Sequence, residues 1–192
     1  MIHWLIQQLT KFKTRLSGKN LVTPTMPKIM EQLDWQAKTH PEGFVLRLCH
    51  QSDLDFFEQI EKQTYDGYLA WRKADFLNDW RKNPYALYLV IELEGKLVGV
   101  ITGRVLYRDS HISQLMVLPR YQSKGLGQWL VSEWLSIAKQ FKTKQITLEV
   151  RESNQRAQKL YQKMGFQVID QRENYYYNNH ETALIMSRRE KE

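Results

Sequence analysis

Between Ser110 and Gly127 the chain reads as a strand that runs into a glycine turn and then into a helix, and this constrains everything built around it. His111 to Val117 alternates and finishes on apolar, β-branched residues, which predicts a strand. Pro119 stops the ladder because proline has no N–H to donate. Gln122 to Gly127 forms a short turn, after which Leu126, Trp129, Leu130, Trp134, Ile137, Ala138 and Phe141 recur at helical spacing. The first N–H groups of a helix lack internal partners, and the helix dipole adds positive potential at that end. Gly125 and Gly127 let an anion approach the backbone closely, and Lys124 adds a cation at the mouth. The stretch reads as a pyrophosphate cradle.

Which pyrophosphate it would take is a separate matter. A dinucleotide fingerprint needs a third glycine where Leu130 stands, although Glu149 lies at a suitable distance for a ribose-binding acid. Only one strand–helix–strand unit of this type is visible, and the phosphate-loop Gly-Lys-Ser/Thr pattern is absent. A tight turn with no ligand is the bland alternative, and for a lone Gly-x-Gly it stands first.

The rest of the chain supplies an α/β frame. Phe44–Cys49 reads as a strand, followed by a helix carrying Leu54, Phe57 and Ile60 that Ser52 or Asp53 can cap. Trp71 to Trp80 forms a second helical pattern. Tyr85 to Leu93 and a strand from Leu97, running on to Tyr107, flank a turn at Glu94-Gly95. Gln145 to Arg151 puts Ile146, Leu148 and Val150 on one face and Thr147, Glu149 and Arg151 on the other. A helix from Ser153 or Asn154 ends at Gly165, and Phe166–Ile169 and Thr182–Met186 are two last strands. The order suits a mixed, largely antiparallel sheet flanked by helices. Residues 43–189 are expected to form this domain, 190–192 a tail and 1–42 an extension. In that extension, Ile2, Leu5, Leu9, Phe12 and Leu16 share a helical face beside Lys11, Lys13, Arg15 and Lys19. Packing on its own domain or on a second subunit, hence a homodimer, is preferred over membrane contact for residues 1–19. A connector with a short helix from Lys28 to Trp35 follows.

No apolar run approaches the roughly 20 residues that span a bilayer, and the single Cys49 fits a reducing compartment, so a cytoplasmic location is expected. The net charge of +7 suits acidic partners, such as an anionic coenzyme or ribosomal RNA, without choosing between them.

Gln122-x-x-Gly125-x-Gly127 after Val117-x-Pro119 resembles the acyl-CoA pyrophosphate motif of the GNAT superfamily of N-acetyltransferases. Leu148 to Phe166 is similar to that superfamily's next motif. Arg172 to Tyr176, followed by Glu181 to Met186, resembles the bacterial ribosomal-protein-alanine N-acetyltransferase branch. The resemblance covers Ile112 to Met186. Tyr177 stands where that branch usually has proline, and Tyr65 to Trp71 lacks its Pro-Trp-Ser stretch.

The resemblance implies acetyl transfer from acetyl-CoA to a primary amine, with a protein or peptide α-amine first and a small-molecule amine second. No metal and no sequence-specific nucleic acid is expected. A coenzyme-binding or assembly protein without turnover is the alternative of another class. An α-amino group has a free pKa of about 7.7–8.0, so a modest fraction is neutral near pH 7 and one carboxylate suffices as base. Glu149 matches the branch's base; the competing reading is a strand glutamate paired with Arg151 or a lysine. Glu152 and Glu181 are weaker alternatives. Tyr161 matches the acid that protonates the departing thiolate, against a plain core tyrosine beside Ala157, Leu160 and Met164. Gln122, Ser123, Lys124, Gly125, Leu126, Gly127 and Gln128 would hold the diphosphate. Asn154 would hold the pantetheine arm or serve only as a helix cap. Leu115, Met116 and Val117 would act through main-chain groups freed where the strand splays from its neighbour, supplying an oxyanion donor. Asn174, Tyr175 and Tyr176 match a substrate-side loop, the competing reading being a hairpin edge with stacked aromatics.

Overall fold

The computed structural model describes residues 26–65 and 69–190, framed by one eight-stranded sheet. Its strands are β1 Lys38–Thr39, β2 Val45–Leu48, β3 Ala86–Leu93, β4 Lys96–Arg104, β5 Asp109–Val117, β6 Gln145–Arg151, β7 Gln167–Tyr176 and β8 Glu181–Arg189. The order is β1-β2-β3-β4-β5-β6-β8-β7. Only β5 and β6 run parallel. Around the sheet lie α1 Lys28–Glu31, α2 Leu54–Thr64, α3 Lys73–Lys82, α4 Leu126–Gln140 and α5 Gln155–Lys163. This is the mixed, largely antiparallel α/β architecture that the sequence indicates.

The centre of the sheet is buried on both sides. Ala86 to Ile91 of β3 are all inaccessible, as a continuous apolar run demands of a central strand. Glu94 and Gly95 take φ of 51° and 74°, the two positive angles of a type I′ turn, and close the β3–β4 hairpin. Helix α4 buries Leu126, Leu130, Val131, Trp134, Leu135, Ile137 and Ala138 against β3, β4 and β5. Those seven residues fall on one helical stripe, so packing rather than propensity fixes the helix.

Several boundaries depart from expectation. Ile29 and Met30 join the main core, Ile29 N–H donates to the Pro84 carbonyl, and β1 pairs with β2. Ile29, Met30 and β1 thus share the core and sheet of the residues that follow, and α1 stops at Glu31, short of Trp35. The amphipathic pattern of residues 1–19 lies outside the described residues. Neither Ser52 nor Asp53 caps α2 through its side chain. Asp53 instead accepts from His50 N–H at 2.7 Å and pairs with Arg47, closing a 3₁₀ turn at Gln51–Asp53. Helix α3 begins two residues late because Asp75 accepts the Arg72 N–H and fixes the start there. Strand β4 ends at Arg104 instead of reaching Tyr107.

Strands β5 and β6 pair at only three positions, Asp109–Gln145, Ser110–Ile146 and His111–Thr147. Beyond His111 they part. The sheet thus carries a wedge-shaped opening, and the candidate site residues collect around it.

Candidate active site

The opening is walled on one side by the unpaired edge of β5. Leu118 N–H donates to the Val98 carbonyl, and Met116 lies opposite Val100 in the same register. Alternation along an antiparallel ladder then turns the main-chain groups of Met116 toward β4 and those of Leu115 and Val117 toward the gap. Leu115 and Val117 line the cavities there, whereas Met116 is fully buried behind them. Of the three strand residues singled out, Leu115 and Val117 thus face the opening and Met116 does not.

Two cavities meet at this wall. One runs over the turn and the start of α4, bounded by Val117, Gln122, Gly125, Gly127, Gln128 and Arg156. Ser123 and Leu126 also border it. Gly125 sits at φ 82°, a left-handed position that turns the chain into α4, and the first intrahelical bond is Trp129 N–H to the Gly125 carbonyl. The N–H groups of Leu126, Gly127 and Gln128 thus have no helical partner. A Cβ on Gly127 would meet Leu160 at 3.5 Å and Leu115 and Val117 at 4.0 Å, all ordinary contacts. Nothing in the chain's own packing requires glycine there, and the vacated space belongs to the cavity. These residues fit an elongated diphosphate.

The cation at this turn is not the expected one. Lys124 reaches outward to Glu42 at 2.8 Å on the exposed surface and does not border the cavity. Arg156, in the first turn of α5, reaches across instead, donating to Gln122 Oε1 at 2.6 Å and Ser123 Oγ at 3.1 Å. Gln122 in turn donates to the Val117 carbonyl at 2.8 Å. A basic residue in a first helical turn opposes the dipole, and that was the one sequence signal for Arg156.

The second cavity is bordered by Glu149, Tyr161, Tyr175 and Tyr176, with Glu61 and Gln114 opposite on α2 and β5. Leu115, Asn154, Ala157 and Tyr65 border both cavities. Asn154 caps α5 by accepting Ala157 N–H at 3.0 Å, which uses its oxygen and leaves its NH₂ donors for a ligand. Both readings of Asn154 are thus compatible. Tyr65 donates its hydroxyl to the Leu115 carbonyl at 3.0 Å, tying the end of α2 to the splayed strand.

Glu149 projects beside His111, Oε2 to Nε2 at 3.2 Å, while Thr147 Oγ1 lies 3.0 Å from His111 Nδ1. A proton on His111 Nε2 lets the ring donate to Glu149, while the Thr147 hydroxyl meets Nδ1. Burial would raise the Glu149 pKa, but the His111 bond and charge, with Arg172 and Arg104, outweigh it and hold the carboxyl below its ordinary value. Arg151 turns instead to Glu181 at 2.9 Å and lies over the Tyr176 ring. Glu181 also takes the Ser153 N–H, and these bonds overcome burial to lower its pKa to about 2. It serves as a structural tie, and Glu152 is exposed.

Tyr161 packs edge-on against Phe166, with a pKa that burial pushes above the ordinary phenol range, so its hydroxyl stays protonated. Asn174, Tyr175 and Tyr176 are not in a loop: they form the last part of β7, where Asn174 takes φ 55° and the ladder with β8 is interrupted. That bulge sends Tyr175 and Tyr176 to the cavity as an edge-to-face pair, and Asn174 does not border it.

Glu61 was not singled out in the sequence. It falls seven residues after Leu54 and four after Phe57, on the buried stripe of α2, and a glutamate there is itself a signal. It accepts Ala70 N–H at 2.9 Å and Trp71 N–H at 3.3 Å, yet burial dominates and raises its pKa to about 7. Among the described residues no group of three or more His, Cys, Asp or Glu could hold a metal ion.

The acetyltransferase (GNAT) family model matches residues 31–166 of the chain. A Bacillus subtilis protein described as a candidate ribosomal protein bS18-alanine N-acetyltransferase is 37% identical over 141 residues, covering 73% of this chain and 92% of its own. A ribosomal protein bS18-alanine N-acetyltransferase from Haemophilus influenzae is 29% identical, with 70% and 91% covered. The crystal structure of the Escherichia coli ribosomal-protein-S18-alanine N-acetyltransferase superposes with a TM-score of 0.69 at 25% identity, over 76% of this chain and 93% of that one.

Proposed function

The chain belongs to the GNAT family of acetyltransferases, and from that premise we propose that it moves an acetyl group from acetyl-CoA to the N-terminal α-amine of a protein or peptide, a ribosomal-protein alanine being the foremost acceptor. One observation carries the reading: the diphosphate-shaped cavity and the tyrosine-lined cavity meet at Leu115, Asn154 and Ala157, where β5 and β6 part. A thioester delivered through the first cavity and an amine entering the second would come together there. The coenzyme supplies the activated acyl group, and the chain's residues do the rest.

The N–H groups of Leu126, Gly127 and Gln128, with Arg156, hold the diphosphate. Asn154 steadies the arm, and the main-chain N–H of Leu115 or Val117 serves the acyl oxygen. Glu149, held ionised, takes the proton that the ammonium must lose before its lone pair can attack. Tyr161, held protonated and making no hydrogen bond with the described residues, donates its hydroxyl to the departing thiolate. A free thiol's pKa of about 8.5 lies below a buried phenol's, so that bond stabilises the thiolate more than it transfers a proton. Tyr175 and Tyr176 frame the peptide end. The one buried cysteine, Cys49, supports a cytoplasmic setting.

Thiol release from acetyl-CoA, measured with peptides beginning in free alanine, the same peptides blocked at the N-terminus, and spermidine, tests the reading. Turnover with free-alanine peptides alone is expected. A preference for the polyamine would overturn the acceptor assignment.

A further inference from the structure

Gln114 lies on β5, 7% exposed, on the wall of the cavity assigned to the amine. Its NH₂ points at Glu61 Oε1, 3.5 Å away, and its carbonyl oxygen, though buried, has no hydrogen-bond partner. The direction of this amide is dictated from behind. Glu61 already accepts the N–H groups of Ala70 and Trp71, and in its ionised form it presents only acceptor oxygens to Gln114, so the donor end of the amide faces it. The carbonyl is thereby turned away from α2. Buried acceptors left unpaired are uncommon, because the desolvation they suffer is not returned.

From this orphaned oxygen we infer that Gln114 is a specificity residue on the acceptor side: its Oε1 receives an N–H from the first residues of the incoming peptide. The inference rests on the peptide-acceptor reading above. A peptide N-terminus carries such donors on its α-amine and on the amide that follows. A neutral carbonyl suits this position better than a carboxylate would. It orients the amine without strongly favouring the ammonium form, so the proton remains free to leave toward Glu149. Glu61 acts behind it as a positioning residue, fixing both the amide and the Ala70–Trp71 segment.

The test uses the full chain with Gln114→Met, close to isosteric, and Gln114→Leu as a second variant. KM and kcat for an alanine-started peptide are measured at saturating acetyl-CoA, KM for acetyl-CoA at saturating peptide, and the thermal midpoint without ligands. Losing one hydrogen bond should raise the peptide KM roughly 5- to 10-fold, with kcat and the coenzyme KM little changed. The thermal midpoint should hold or rise, since the unpaired oxygen has gone. An unchanged peptide KM in both variants overturns the inference. So does a lowered midpoint with both KM values raised alike, which would make Gln114 a packing residue. If the wild type acetylates peptides and only the variants fail to respond, the acceptor reading survives; a wild type that refuses peptides overturns both.

Discussion

On the proposed reading, Glu149 and the acceptor amine have ionisations that separate cleanly. The carboxyl is held below its ordinary value by His111, so it remains a base well under pH 6. An α-ammonium with a pKa of about 7.7–8.0 is then the group whose deprotonation limits the rate. The peptide kcat/KM should rise with pH and level off near 8, with no acid limb from Glu149 in the range studied. Thiol release followed from pH 5 to 9 checks this; an inflection that stays near 7 when the amine's own pKa is varied would shift the base to Glu61. Glu149→Gln should lower kcat by ~10²–10⁴-fold with the coenzyme KM retained. Unchanged turnover would remove it as the base. On the other side of the gap, Arg156→Gln should raise the acetyl-CoA KM about 10-fold and flatten its salt dependence, since a charge-assisted contact is lost. Lys124→Ala, already committed to Glu42, should leave that KM unaltered.

Helix α2 carries its own pH dependence. Glu61 has a folded pKa raised to about 7 from an ordinary 4.5, so the folded state binds the extra proton between those values. Stability contributed by that proton is present below about 4.5 and is lost as pH rises through 7, by roughly 3 kcal/mol. Glu61→Gln, which keeps an oxygen for the Ala70 N–H, should flatten that slope; urea unfolding at pH 5 and pH 8 measures it. Elements differed in how well the sequence revealed them. β6 was legible to the residue because one of its faces is buried, giving strict alternation. β7 was cut short because it is an edge strand, exposed almost along its length, with no alternation to read. The turn into α4 was legible through Gly125, Gly127 and the α4 stripe. Arg156 and Gln114 were not, because their roles depend on contacts between elements distant in sequence.

At the scale of the molecule, the sheet is joined across the site by only three parallel pairs. β1 to β5 with α4 form one side, and β6 to β8 with α5 the other. The coenzyme cavity draws Val117, Gly125 and Gly127 from the first side and Asn154, Arg156 and Leu160 from the second. A ligand seated there ties the two sides together, so it should stabilise the whole fold and not a single loop. At 100 times its dissociation constant, acetyl-CoA adds about 2.7 kcal/mol to the folded state. For a chain of this size that raises the thermal midpoint by roughly 5–10 °C. NAD, which the missing third glycine at Leu130 argues against, should give no such rise. Hydrogen exchange supplies the spatial half of the test. Protection should appear together at the amides of Leu115 and Val117 on the splayed strand and of Leu126 to Gln128 at the helix start, because one bound molecule spans both. Protection confined to either group, or a midpoint that responds equally to NAD, would mean that the opening does not hold an extended thioester coenzyme.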